Sequence, residues 1–265
     1  MIYQSAIELS HFWLPFIGFV VGLLATMIGG NGAFFFPPIL ILFFQVSPRV
    51  AIATSLAAVI PMGLIGSAEH YRRGNVNLTV GLTFGAAGLV GAFLGAWVSG
   101  LMDPSMLVKT FGGYTILLAL LTLRTPLCRP EDEINPPTGL SGLNRRTGTM
   151  IVLFGLLSGA VAGLFGTSGS APVLAGLFIL QFPVRLVIGT SVLIVFINAL
   201  SGFSGHLLMG EIDPELILRL GSGAAVGAFL GPRLLVRMRP ERRQGSIRYV
   251  FVAVLLALGV TLLLR

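Results

Sequence analysis

The chain has 265 residues, 55% of them hydrophobic and only 10% charged, with a mean hydropathy of +0.93, which excludes a soluble globular protein because too little polar surface remains. Its net charge of +7 does not point to nucleic acid, since 16 of the 17 basic residues are arginines placed mainly at segment ends, where they orient membrane helices. A single cysteine, Cys128, excludes an internal disulfide and a cysteine-based metal cluster, and the absence of period-2 alternation argues against a transmembrane barrel.

An all-α, polytopic helical membrane protein is therefore expected, and its segments are taken in order. Segment A covers about residues 11–28, with His11 and Trp13 suited to a membrane interface; Glu8 and the lack of early basic residues argue against a cleaved signal peptide. The turn Gly29-Gly30-Asn31-Gly32 leads into segment B, residues 33–46, which carries Pro37-Pro38 and falls short of the roughly 20 residues a span needs. Segment C, 49–68, ends at Glu69-His70-Tyr71-Arg72-Arg73-Gly74. Segment D covers 77–101 and segment E 106–123. A polar linker, Arg124 to Arg146, holds four prolines and Glu131-Asp132-Glu133 and reads as a surface loop. The pattern then restarts as A′ (148–165), B′ (171–181), C′ (184–205), D′ (215–236) and E′ (247–264). From Thr147 to Val184 there are 38 residues without a charge, and one helix of that length would measure about 57 Å, twice a bilayer's hydrocarbon core. The break falls at Gly166-Thr167-Ser168-Gly169-Ser170-Ala171-Pro172, where glycine frees the backbone and proline removes a donor.

The second half repeats the first at a shift of 136 residues. Arg49/Arg185, Thr54-Ser55/Thr190-Ser191, His70/His206, Gly74/Gly210, Pro104/Pro240 and the identical blocks Gly91-Ala92-Phe93-Leu94-Gly95 and Gly227-Ala228-Phe229-Leu230-Gly231 coincide; the A/B turns align with a slip of one or two. Loop charges then set orientation. The C–D loop has Arg72 and Arg73, whereas C′–D′ has Glu211, Asp213 and Glu215; D–E offers Asp103 and Lys109, whereas D′–E′ has Arg233, Arg237, Arg239, Arg242, Arg243 and Arg248. The positive-inside rule puts C–D, D′–E′ and the linker in the cytoplasm and D–E and C′–D′ outside, so the halves are inverted. Residues 1–124 and 147–265 are expected as two inverted-topology repeats, each a Gly-broken helical hairpin plus three spanning helices, joined by a cytoplasmic linker at 125–146. Eight or ten crossings both fit, depending on how deep the hairpin tips reach.

The N-terminal end of a half-helix presents N–H donors and a partial positive charge, which favour an anion. If the two turns meet across the pseudo-twofold axis, Gly29, Gly30, Asn31 and Gly32 face Gly166, Thr167, Ser168, Gly169 and Ser170 in one space, with Thr54, Ser55, Thr190 and Ser191 lining it or its vestibules. The plainer alternative for each residue is helix packing. His70 and His206 are candidates for gating or proton transfer, with capping or interface roles as the default, and Arg49 and Arg185 read as snorkelling anchors. Asn198, at depth in C′, needs a hydrogen-bonding partner. Apart from Glu69 at a helix end no acid falls within a span, so a cation substrate is disfavoured; no cofactor or metal is called for. An intramembrane serine protease built on Ser168 and His206 is a remote reading, because the repeat accounts for both residues.

The Gly-rich turn before proline in each half, Arg49-Val50-Ala51-Ile52-Ala53-Thr54-Ser55-Leu56-Ala57-Ala58, His70 to Val76 and the Gly91–Gly95 block together resemble the TauE/SafE-type sulfite exporters, and the resemblance covers essentially the whole chain. It implies a secondary transporter in the cell (inner) membrane for a small anion such as sulfite, an organosulfonate or a carboxylate. A passive anion channel or the membrane subunit of a larger complex is the alternative. The expected partners are that anion and the lipid bilayer, not nucleic acid, with a homodimer as a further candidate. In the family pattern the first turn carries three consecutive glycines; here Asn31 interrupts them and the second turn is richer in Ser and Thr.

Overall fold

A computed structural model describes residues 12–27, 31–124, 145–210, 212–235 and 244–265. Ten α-helices follow one another there: α1 (Leu14–Met27), α2 (Phe36–Leu42), α3 (Pro48–Arg72), α4 (Leu78–Leu101), α5 (Pro104–Arg124), α6 (Arg145–Phe165), α7 (Ser170–Ile179), α8 (Val184–Met209), α9 (Pro214–Leu235) and α10 (Gln244–Leu263). A 3₁₀ segment, Asn31–Phe35, precedes α2. All but the last two residues of the linker lie outside the described residues.

The helix starts follow from local chemistry. Proline stands at the head of α3, α5 and α9, where its missing N–H costs nothing. Asn77 caps α4 by accepting from the Val80 N–H at 3.1 Å, and the Asp213 carboxylate caps α9 by accepting from Glu215 and Leu216 at 3.0 and 3.2 Å. Helix α3 runs to Arg72, past the boundary expected at residue 68, because Glu69 finds two guanidinium partners and His70 a carbonyl, so neither needs water.

Five helices, α3, α4, α5, α8 and the 147–165 part of α6, are long and apolar enough to span a bilayer. The protein is a multi-pass membrane protein. Helices α2 and α7, of 7 and 10 residues, are the half-length elements expected for B and B′.

Contacts between helices come in exchanged pairs: α1 on α9 and α4 on α6, α3 on α9 and α8 on α4, with α3 meeting α8 and α5 meeting α10. Small residues make the closest of these. A Cβ added at Gly91 or Gly95 would overlap backbone of α6 at Leu156 or Ala160, and one at Gly159 or Gly163 would overlap backbone of α4. In the other half Gly227 stands against the Phe19 carbonyl and Gly22 against Ala224. The repeated Gly-Ala-Phe-Leu-Gly block is thus a small-residue contact surface, which van der Waals packing in a membrane requires.

Candidate anion site

The turn between α6 and α7 needs its glycines. Gly166 and Gly169 have φ of +66° and +57°, and a Cβ on either would collide with Ile52 or Ser158. Three hydrogen bonds hold the turn. Ser55 on α3 donates to the Gly166 carbonyl at 2.6 Å, Ser158 on α6 donates to the Gly169 carbonyl at 2.7 Å, and Asn198 on α8 donates through Nδ2 to Ser158 Oγ at 2.7 Å. Helix α7 then begins at Ser170, with the Ser170 and Ala171 N–H groups at its head and Pro172 contributing none. Ser168 and Ser170 share a hydrogen bond at 2.9 Å. Thr167 beside this end is 1% exposed and Thr54, next to Ser55, is fully buried, and neither hydroxyl has a hydrogen-bond partner.

The first turn differs. Gly29, Gly30 and the side chain of Asn31 lie outside the described residues. The chain continues as the 3₁₀ segment, in which Gly32 packs against Ala25, and α-helical geometry begins only at Phe36. Pro37 and Pro38 then fall in the first turn of α2, where their missing N–H groups cost nothing.

The expectation of one polar space shared by the two turns falls on Gly29, Gly30 and the Asn31 side chain, outside the described residues; along α3, the elements flanking the turns meet at different levels. The second turn bonds to Ser55, whereas Thr26, at the end of α1, packs on Gly66 and accepts from His70 at 2.9 Å. From Ser55 to Gly66 is about 16 Å of helix at 1.5 Å per residue. Aromatic rings link the 3₁₀ segment to the second turn. Phe34 of that segment and Phe165 before the turn both pack on Phe111, with ring centres 5.4 and 5.3 Å away, and on Tyr114, at 6.4 and 5.3 Å. Rings this large gain more by burial against each other than a hydrated gap would allow.

Thr190 and Ser191 stand on α8. Thr190 Oγ1 accepts from the Asn77 N–H at 3.0 Å, and Ser191 donates to the Ile188 carbonyl of its own helix at 2.8 Å. The two histidines have matching places: His70 Nε2 meets the Thr26 carbonyl and His206 Nε2 the Gly163 carbonyl, each at 2.9 Å, tying α3 to α1 and α8 to α6 just before a turn. Ser168 bonds Ser170 and not His206, so the serine–histidine contact of a protease is not made.

The sequence model of the family described as "Sulfite exporter TauE/SafE" matches residues 14–262. The chain belongs to the TauE/SafE family. It is similar to YdhB of Bacillus subtilis, named a probable membrane transporter protein, with 33% identity over 218 residues covering 81% of this chain and 86% of that protein. It also resembles YunE of the same organism, with 26% identity over 93% of this chain and 96% of that one, and a protein of Methanocaldococcus jannaschii, with 24% identity over 95% and 94%; both carry the same description. No solved structure matches the chain. As a TauE/SafE member it is a membrane transporter, and its sequence held signals for the turn but not for Ser158, Phe111 or Tyr114, which reach it from other helices.

Proposed function

We propose that this TauE/SafE member is a secondary transporter of the cell membrane that carries a small oxyanion, with sulfite, an organosulfonate or a carboxylate as the leading class. The anion is held at the second turn, by the N–H groups heading α7 and by the hydroxyls of Thr167 and Thr54, while Ser55, Gly166, Ser168, Gly169 and Ser170 shape the cradle. The turn at Gly29, Gly30, Asn31 and Gly32 is its counterpart in the first half of the chain, and Thr190 and Ser191 stand on α8 where Thr54 and Ser55 stand on α3.

One observation carries this reading: two buried hydroxyls have no partner, that of Thr167 three residues before a half-helix N-terminus and that of Thr54 next to Ser55, which bonds the turn. A buried donor with no acceptor costs about 1–3 kcal/mol, and an oxyanion supplies acceptors that the apolar surroundings do not. The exchanged helix contacts support alternating access by two inverted halves rocking about the site.

Thr167→Val and Thr54→Val keep shape and remove the hydroxyls. Each is expected to weaken anion binding roughly tenfold, the worth of one hydrogen bond to a charge, measured by anion-dependent thermal shift and by sulfite flux in proteoliposomes. Wild-type binding and flux in both variants, for every anion tested, would overturn the proposal.

A further inference from the structure

Helices α3 and α9 leave a groove of about 430 Å³ between them, and most of its wall is apolar: Ile65 and Ala68 of α3, Ala225, Val226 and Phe229 of α9. Ala68, Val226 and Phe229 are exposed, so in a bilayer they meet lipid. From Ile65 to Arg72 the groove follows α3 for about 10 Å at 1.5 Å per residue, less than half of a hydrocarbon core about 30 Å thick. It therefore lies within one leaflet. Its end is charged. Glu69 Oε1 accepts from Arg73 at 2.8 Å and from Arg233 at 3.1 Å, so one carboxylate stands between two guanidiniums. Arg233 also lies over the Phe229 ring, 3.6 Å from its centre. Arg72 is exposed, lines the groove and makes no ion pair among the described residues. Three arginines against one carboxylate leave two positive charges at this end.

We propose that this groove binds an anionic phospholipid, with an acyl chain along Ala68, Val226 and Phe229 and the head-group phosphate accepting from Arg72, while Arg73 and Arg233 add charge. Basic pockets between membrane helices take anionic head groups in this way on the cytoplasmic side, where the positive-inside rule puts the loop after α3. The repeat makes the site one-sided. The positions equivalent to Glu69, Arg72, Arg73 and Arg233 are Gly205, Leu208, Met209 and Trp97, and none of them carries a charge. A lipid held here bridges α3 and α9, which come from opposite halves of the chain. The site shares no residue with the second turn, so either can fail alone.

The test is native mass spectrometry of the full chain in detergent, titrated with phosphatidylglycerol and with phosphatidylcholine carrying the same acyl chains. One phosphatidylglycerol per protein is expected to bind at least about fivefold more tightly than phosphatidylcholine, the worth of one arginine at an anionic surface. Arg72→Gln weakens phosphatidylglycerol about fivefold and leaves phosphatidylcholine unchanged, and Arg72→Lys restores the preference. Ala68→Trp fills the groove and loses both lipids in a protein that still melts cooperatively. Inorganic phosphate does not displace the lipid, because the apolar wall holds the chain. Equal binding of the two lipids, an undiminished preference in Arg72→Gln, full binding by Ala68→Trp, displacement by inorganic phosphate, or a dimer mass that Ala68→Trp splits overturns the lipid site.

Discussion

Asn198, Ser158 and Gly169 form a chain of hydrogen bonds that reaches the second turn from two helices away. Hydrogen bonds between membrane helices are worth about 0.6–1.7 kcal/mol, so Asn198→Leu is expected to lower the melting temperature only modestly. Its larger effect falls on the turn: the stabilisation by added anion should shrink or vanish in a protein that still unfolds cooperatively, which thermal melts with and without sulfite read directly. Gly169→Ala acts differently, because its positive φ and the overlap with Ser158 strain the turn itself. Thr167, Ser168 and Ser170 were legible in the sequence because small polar residues between glycines and before a proline stand out in an uncharged run. Asn198 was legible as a polar group needing a partner. Ser158 was not, since one serine in an apolar helix carries no local signal and its amide partner is 40 residues away.

At the scale of helices, Gly91, Gly159 and Gly227 are where backbones touch, whereas Gly113 on α5 has open space around it. Gly91→Leu or Gly159→Leu is expected to drive α4 and α6 apart and abolish the monodisperse peak in size-exclusion chromatography. Gly113→Leu leaves the peak unchanged. Overpacking of this kind costs about 1–3 kcal/mol even where neighbours can yield, and backbone cannot. The spans were readable from hydropathy, with ends displaced by a few residues where a buried partner, as for Glu69, lets a helix run on. The Gly91–Gly95 block was readable as a mark of repetition. Its role as a contact surface was not, because nothing within α4 says that α6 lies against it. Segment B's short length was visible, but its 3₁₀ start was not, because Phe34 there packs on Phe111 and Tyr114, which lie some 80 residues on.

For the whole molecule the two ends differ. Glu69 on α3 takes Arg73 at 2.8 Å and, from the other half of the chain, Arg233 on α9 at 3.1 Å, with Arg233 also lying over the Phe229 ring. The equivalent positions, Gly205 and Trp97, cannot form that pair. The Glu69 end is thus tied by charge between the halves. Because the arginines are partly exposed, the pair is worth about 1 kcal/mol, and Glu69→Gln should speed hydrogen exchange in the last turns of α3 roughly fivefold. The rings of Phe34, Phe111, Tyr114 and Phe165 bear on the electrical behaviour of the membrane. While they stay packed they form an insulator beside the second turn, since a hydrated ion would have to shed its water to pass among them. Bilayers holding the wild-type protein should show no standing current in symmetric salt, and Phe111→Ala with Phe165→Ala should open an ohmic leak.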